Sequence, residues 1–244
     1  MWEKALKDPD WYAQKTTIYD AVADGLDVDP EELRKLCPDD CVWNREFMCE
    51  FMDEFGAWMT DLEIPFECVE ESSSPCWLGM DVGAVKDASG VVTAVQRNGR
   101  LLFDFMALVN EPSFARQMEF VRGICRDRGF RGGYVDAVGI GYGLAERLRD
   151  EVSSVIRPFV WTAQNKSAAY DALRSDCLAG RVAFSSRFKN VFLADTRLVM
   201  KTVTADGKTR YSAQRSSQGH ADLVSAAVLC HQAWRDRPEQ FGTP

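Results

Sequence analysis

Between residues 77 and 184, short apolar runs alternate with longer segments whose apolar positions recur every three or four residues. The first runs are Trp77-Leu78-Gly79-Met80-Asp81 within 77–82, Gly90-Val91-Val92-Thr93-Ala94-Val95 within 90–96, and Leu101-Leu102-Phe103-Asp104-Phe105. Runs of that length, bounded by turn residues and rich in β-branched and aromatic side chains, read as buried strands. The last two are joined by Arg97-Asn98-Gly99-Arg100, and Asn-Gly is the strongest short hairpin signal because both central residues must take positive φ. A helix is predicted over 112–128, with Pro112 in its first turn and Phe114, Met118, Val121 and Cys125 on one face. Strand 132–137, helix 143–150, strand 155–161, helix 166–179 and the strand Val182-Ala183-Phe184 follow. A helix over 189–199, a hairpin around Asp206-Gly207 and a helix over 219–235 close the chain. Three antiparallel strands followed by strand–helix alternation predict an α/β mixed sheet flanked by helices on both faces.

The first 71 residues pattern differently. Thr16-Thr17-Ile18-Tyr19 reads as a strand or extended segment, and Asp29-Pro30-Glu31-Glu32-Leu33 as a helix start with cap, proline and first-turn acids. A second helix is predicted over 42–53 from the near-helical spacing of Val42, Phe47, Phe51 and Phe55. Glu70-Glu71-Ser72-Ser73-Ser74-Pro75 suits an exposed connection. The expected organisation is an acidic lead-in (1–71), a main domain (72–238) and a tail (239–244).

Charge sharpens that division. The chain has net charge −8, but residues 1–71 hold 20 acids and 6 bases, net −14, leaving 17 acids and 23 bases, net +6, in 72–244. A basic body behind an acidic segment suits polyanion binding by the body. The eight cysteines form no C-x-x-C pair, and Cys37, Cys41 and Cys49 have no histidine nearby to complete a zinc site. With neither a signal peptide nor a bilayer-length apolar run, the sequence reads as a reduced, cytoplasmic protein with no membrane partner.

Three acids stand out. Asp81 and Asp136 each end a predicted strand, and Asp222 opens the last helix. A carboxylate at the end of a buried strand is costly unless positive charge compensates it, and three drawn together would suit hard divalent cations. Asp87 could add a ligand or simply form the turn Asp87-Ala88-Ser89-Gly90. His220 could orient a ligand, bind a phosphate or shuttle a proton, or simply cap the helix or pack. His231 reads as structural. Gly139, Gly141 and Gly143 follow G-x-G-x-G rather than the dinucleotide spacing, and read as glycines that let a DNA backbone come close, or as a plain turn.

Gly79-Met80-Asp81-Val82-Gly83, the stretch from Tyr134 through Asp136 to Leu144, and Gly219-His220-Ala221-Asp222 through Ala227 together resemble, in this order, the nuclease domain of the bacteriophage terminase large subunit. Thr17-Ile18-Tyr19-Asp20 through Leu26, and Glu46-Phe47-Met48-Cys49-Glu50-Phe51, look like the stretch joining the packaging ATPase to its nuclease. The resemblance implies a ribonuclease H-like fold and a metal-dependent endonuclease that cuts concatemeric double-stranded viral DNA. It implies Asp81, Asp136 and Asp222 as catalytic metal ligands, two Mg²⁺ or Mn²⁺ ions, and as partners the terminase ATPase domain, small subunit and portal in a bacterial host cell. The phosphate-binding loop of the motor half has no counterpart: Gly207-Lys208-Thr209 lacks the glycine five positions earlier, where Thr202 stands. Lys208, Arg210 and Arg215, on the arm before Asp222, and Lys166 are the preferred DNA contacts. Other readings are an actin- or sugar-kinase-like ATPase, since Gly79 to Gly83 before a hairpin resembles that superfamily's phosphate loop, and a non-catalytic DNA-docking module.

Overall fold

Strands β1 (Phe66–Glu67), β2 (Cys76–Asp81), β3 (Ser89–Arg97), β4 (Arg100–Val109), β5 (Phe130–Asp136), β6 (Ile156–Phe159) and β7 (Val182–Ser185) form one sheet in the order β1-β7-β4-β3-β2-β5-β6. Two short helices, α1 (Ile18–Ala23) and α2 (Pro30–Leu36), precede it in the chain. The computed structural model describes residues 10–12, 14–37, 43–49, 58–83, 88–111, 113–204, 208–213 and 221–237. Strands β2, β3 and β4 pair antiparallel, and β5, β6, β7 and β1 join in parallel. This is the mixed sheet that the sequence pattern predicts. The β3–β4 turn has φ 51° at Asn98 and 77° at Gly99, the two positive values expected of an Asn-Gly hairpin. Strand β4 extends beyond the predicted 101–105 because Met106 and Val109 continue to find buried partners.

Side-chain parity divides the core. On β2, Leu78 and Met80 face one cluster with Met118 and Val121 of α3 (Phe114–Arg128) and Leu144 and Leu148 of α4 (Gly141–Glu151). Trp77 faces the opposite cluster, built from α5 (Ala163–Leu178), α6 (Lys189–Thr196) and α7 (Asp222–Arg235). Period-two alternation therefore turns Gly79 and Asp81 toward the α7 side. Strands β8 (Val199–Val203) and β9 (Thr209–Ala213) form a separate hairpin, whose predicted tip at Asp206-Gly207 lies outside the described residues. Stacking of Tyr211 on Tyr170, with ring centroids 5.2 Å apart, and donation from the Ser167 hydroxyl to the Thr209 carbonyl at 2.6 Å seat this hairpin on α5.

Helix α7 lies directly on sheet backbone. A Cβ built on Gly79 would fall 1.9 Å from the Ala226 carbonyl oxygen, and one on Gly90 would fall 2.2 Å from that of Asp222. The two missing side chains set how closely this helix approaches β2 and β3. Nearly every α7 side chain is buried, His231 included, with its Nε2 2.8 Å from Asp176. A second anchor lies between β4 and α3. Asp104 and Arg128, with side chains 0% and 6% exposed, pair at 2.7 Å. Arg128 also donates to Thr93, and Asp104 accepts the Ser72 backbone N–H at 3.1 Å.

Contacts divide the chain into two units, Met1–Glu54 and Phe55–Pro244. Trp58, Ile64 and β1 belong to the larger one, so the Ser-Pro stretch runs along that body. In the smaller unit, the strand or extended segment expected at Thr16–Tyr19 is extended only as far as Thr17, and Ile18 starts α1. Thr17 accepts the Asp20 backbone N–H while Asp20 accepts that of Thr17, a capping box that outweighs the β-branched composition. Helix α2 starts after Asp29 as predicted. The helix expected over 42–53 is not continuous: a single π-helical turn, Trp43–Phe47, ends before Cys49, whose φ of 48° no α-helix can propagate. The rest of that prediction, 50–53, and the tail lie outside the described residues. Among the described residues no helix is long and apolar enough to cross a membrane.

The Gly79 contact sets a measurable limit. Gly79→Ala places a methyl group into α7 backbone and should lower unfolding free energy by about 1–3 kcal/mol, read from urea denaturation followed by tryptophan fluorescence.

Candidate functional site

Parallel pairing of Met80 with Val135 sets Asp81 and Asp136 beside each other at the C-terminal ends of β2 and β5. Parity sends both side chains to the α7 face, because Met80 and Val135 belong to the opposite cluster. Asp81 also pairs across the ladder with Gly90, against which the Asp222 backbone is packed. Three acids remote in sequence thus meet at one end of the sheet. Asp81 and Asp136 are half-buried and Asp222 is buried. Asp87, His220 and Arg215 lie outside the described residues.

The acids perturb one another. Solvent still reaches Asp81, but protein surrounds it densely, and that desolvation pushes its pKa well above the ordinary carboxylate value. The charges of Asp136 and Asp222 push it further, and a carboxyl–carboxyl hydrogen bond with Asp136 favours its protonated form. A side-chain hydrogen bond from Ser225 works in the opposite direction. Burial also raises Asp136, against donation from the Val138 backbone N–H at 2.9 Å and the nearby charge of Lys166. Among the described residues no group of three or more His, Cys, Asp or Glu side chains is placed so as to hold a metal ion together. The arrangement is a carboxyl pair, Asp81 and Asp136, with Asp222 in electrostatic reach.

Three further residues serve this end of the sheet. Ser225 lies one helical turn after Asp222 and therefore on the same face of α7. Its hydroxyl is 3.1 Å from that of buried Tyr170, whose ring has the Lys166 ammonium 5.8 Å from its centroid. Asp195, near the end of α6, accepts the Val224 backbone N–H at 2.9 Å. Burial, then the charge of Asp222, raise its pKa to about 6 against backbone N–H groups of Val224, Leu223 and Ala221. Helical spacing from Asp222 could have singled out Ser225. Tyr170 and Asp195 carry no local signal, since their partners are far away in sequence.

The basic candidates are placed differently from one another. Lys166 stands beside Asp136, whereas Lys208 and Arg210 are on the β8–β9 hairpin, both exposed. Of the loop glycines, Gly141 is buried, and a Cβ there would lie 2.2 Å from the Asp136 carbonyl oxygen. That position packs the start of α4 against β5 and is not open to a DNA backbone, a correction to the sequence reading.

The nuclease domain of the large terminase of thermophilic phage G20c, solved with magnesium, superposes with TM-score 0.58 at 18% identity over 75% of this chain and 98% of that one. Its cobalt-bound form gives 0.58 at 19% with the same coverage. The Thermus phage P74-26 large terminase nuclease domain gives 0.56 at 18%, covering 76% and 100%. The fold is that of a large-terminase nuclease domain. It is the ribonuclease H-like architecture that the sequence resemblance implied. No family model and no curated protein matches the sequence.

Acid crowding predicts a distinctive pH response. A carboxyl whose folded pKa is raised binds protons more tightly in the native state, so its contribution to stability is full below about pH 4 and is lost as pH rises through the folded value. In EDTA, Asp81→Asn should melt close to wild type at pH 4 and above it at pH 7.5, read by scanning fluorimetry.

Proposed function

We propose that the chain is the nuclease part of a phage DNA-packaging terminase, a metal-dependent endonuclease acting on double-stranded DNA. The observation that carries this reading is the convergence of Asp81, Asp136 and Asp222 at one sheet end within this fold. The donor set is all carboxylate, which fits hard cations such as Mg²⁺ or Mn²⁺ rather than zinc. The mutual repulsion that raises Asp81 is the penalty a bound cation would relieve. Asp81 and Asp136 would hold the cations from the sheet and Asp222 from the helix, with two ions served by the shared pair. Bound divalent cations supply Lewis acidity for water activation and for the departing oxyanion.

The chain's own groups do the rest. Lys166, beside Asp136, puts a positive charge where a phosphate must come close to the acids. Ser225 holds the Asp81 carboxylate by hydrogen bond, with the Tyr170 hydroxyl behind it. Lys208 and Arg210 on the hairpin suit sequence-independent contacts with the phosphate backbone. His220 and Asp87 remain candidates for the same site, and Arg215 for the same arm. The small terminase subunit, the portal and an ATPase domain are the partners that a packaging role requires, with concatemeric viral DNA as substrate.

Purified protein should nick or linearise plasmid with Mn²⁺ and stop with EDTA. Asp81→Asn, Asp136→Asn and Asp222→Asn should each reduce cutting by roughly a hundredfold or more while remaining folded by circular dichroism. Metal-dependent cutting that persists unchanged in all three variants would refute the assignment. Lys166→Ala should weaken DNA binding and lower the slope of log affinity against log salt by about 1, measured by fluorescence anisotropy.

A further inference from the structure

The residue before α7, Ala221, offers it no side-chain cap. Ala221 is fully buried and takes left-handed φ 63° and ψ 38°. The opening N–H groups of a helix have no partner within it, and leaving them buried and unmet is costly. Here they turn to another helix: the Asp195 carboxylate accepts from Val224 at 2.9 Å, and the backbone N–H groups of Leu223 and Ala221 are close enough to favour its charged form. Asp195 is itself 9% exposed. Its own helix is tied down beside it, with the Thr196 hydroxyl donating to the Phe192 carbonyl at 2.7 Å and the Phe192 ring in the core. The bonds therefore fix the turn of α7 that bears Asp222.

We infer that Asp195 is a positioning residue, supplied by α6, which caps α7 from outside and so holds Asp222 at the angle its metal-binding role requires. This rests on the metal-nuclease reading above. The carboxylate fills donors that would otherwise compete for the Asp222 side chain, since an acid in the first turn is drawn to its own helix N-terminus. Asp195 binds neither cation nor DNA in this scheme. Its influence is transmitted through the backbone at residues 221–224.

Asp195→Asn keeps the shape, removes the charge and retains one acceptor. Two readouts separate positioning from simple support: the rise in melting temperature that Mn²⁺ induces without DNA, and the Mn²⁺ concentration giving half-maximal plasmid nicking. We expect the Mn²⁺-induced shift to shrink and the half-maximal concentration to rise about tenfold or more, with DNA affinity in EDTA unchanged. A variant that melts lower but keeps the full Mn²⁺-induced shift and the wild-type Mn²⁺ dependence would overturn the inference and leave the nuclease reading intact. Should Asp195→Asn not fold, Asp195→Ser, which keeps one acceptor in a smaller side chain, is judged by the same two readouts. A wild-type protein that neither responds to Mn²⁺ nor nicks DNA would remove the nuclease reading, and this inference with it.

Discussion

The arrangement of the site depends on the contact between α7 and the backbone of β2 and β3. Ordinary helix-on-sheet packing keeps a layer of side chains between the two. Here Gly79 and Gly90 remove that layer, and the carbonyls of Ala226 and Asp222 sit where their Cβ atoms would be. The helix is thereby indexed to the strands, and Asp222 comes to the ladder position opposite Asp81. Slipping α7 by one residue would turn its acid by about 100° and would set different backbone atoms against the two glycines. The core and the third acid are specified together.

That indexing has an electrostatic cost. Asp81, Asp136 and Asp222 share a densely packed end of the sheet, with Asp195 close enough to feel Asp222. The surrounding chain softens the cost locally: Val138 donates to Asp136, Ser225 to Asp81, and backbone N–H groups to Asp195. None of these brings a full positive charge; among the described residues, Lys166 brings one beside Asp136. An excess of negative charge in a well-packed frame is the condition under which a hard cation adds most to both stability and chemistry. The opposite arrangement stands at Asp104, where Arg128 neutralises the acid directly and the pair is purely structural.

Much of the fold was legible because its rules are local or periodic. Short apolar runs placed β2 to β4, the Asn98-Gly99 turn fixed the β3–β4 hairpin, and strand-end acids identified Asp81 and Asp136. Parity alone sends those two to one face once β2 and β5 are neighbours. Other features depend on contacts between distant segments. Nothing near Asp195 shows that it caps a helix that starts 27 positions later, and Tyr170 gains its meaning only when Ser225 arrives from α7. In the lead-in, β-branched Thr16, Thr17 and Ile18 suggested a strand, but Thr17 and Asp20 are spaced for a capping box and the helix prevails. Cys49 breaks the predicted second helix through a backbone angle that its residue type does not announce.

The bond between Ser72 and Asp104 has a mechanical consequence. Ser72 stands between β1 and β2, and there the backbone is tied to a carboxylate already locked to Arg128, which in turn reaches the Ser74 carbonyl. A pull that passes β1 would meet this buried knot, made by Asp104 within β4 and Arg128 at the end of α3, before it reached β2. The tension would be shared with β4 and α3 before reaching the strand ends that carry the acids, so the anchor works as a strain relief for that end of the sheet.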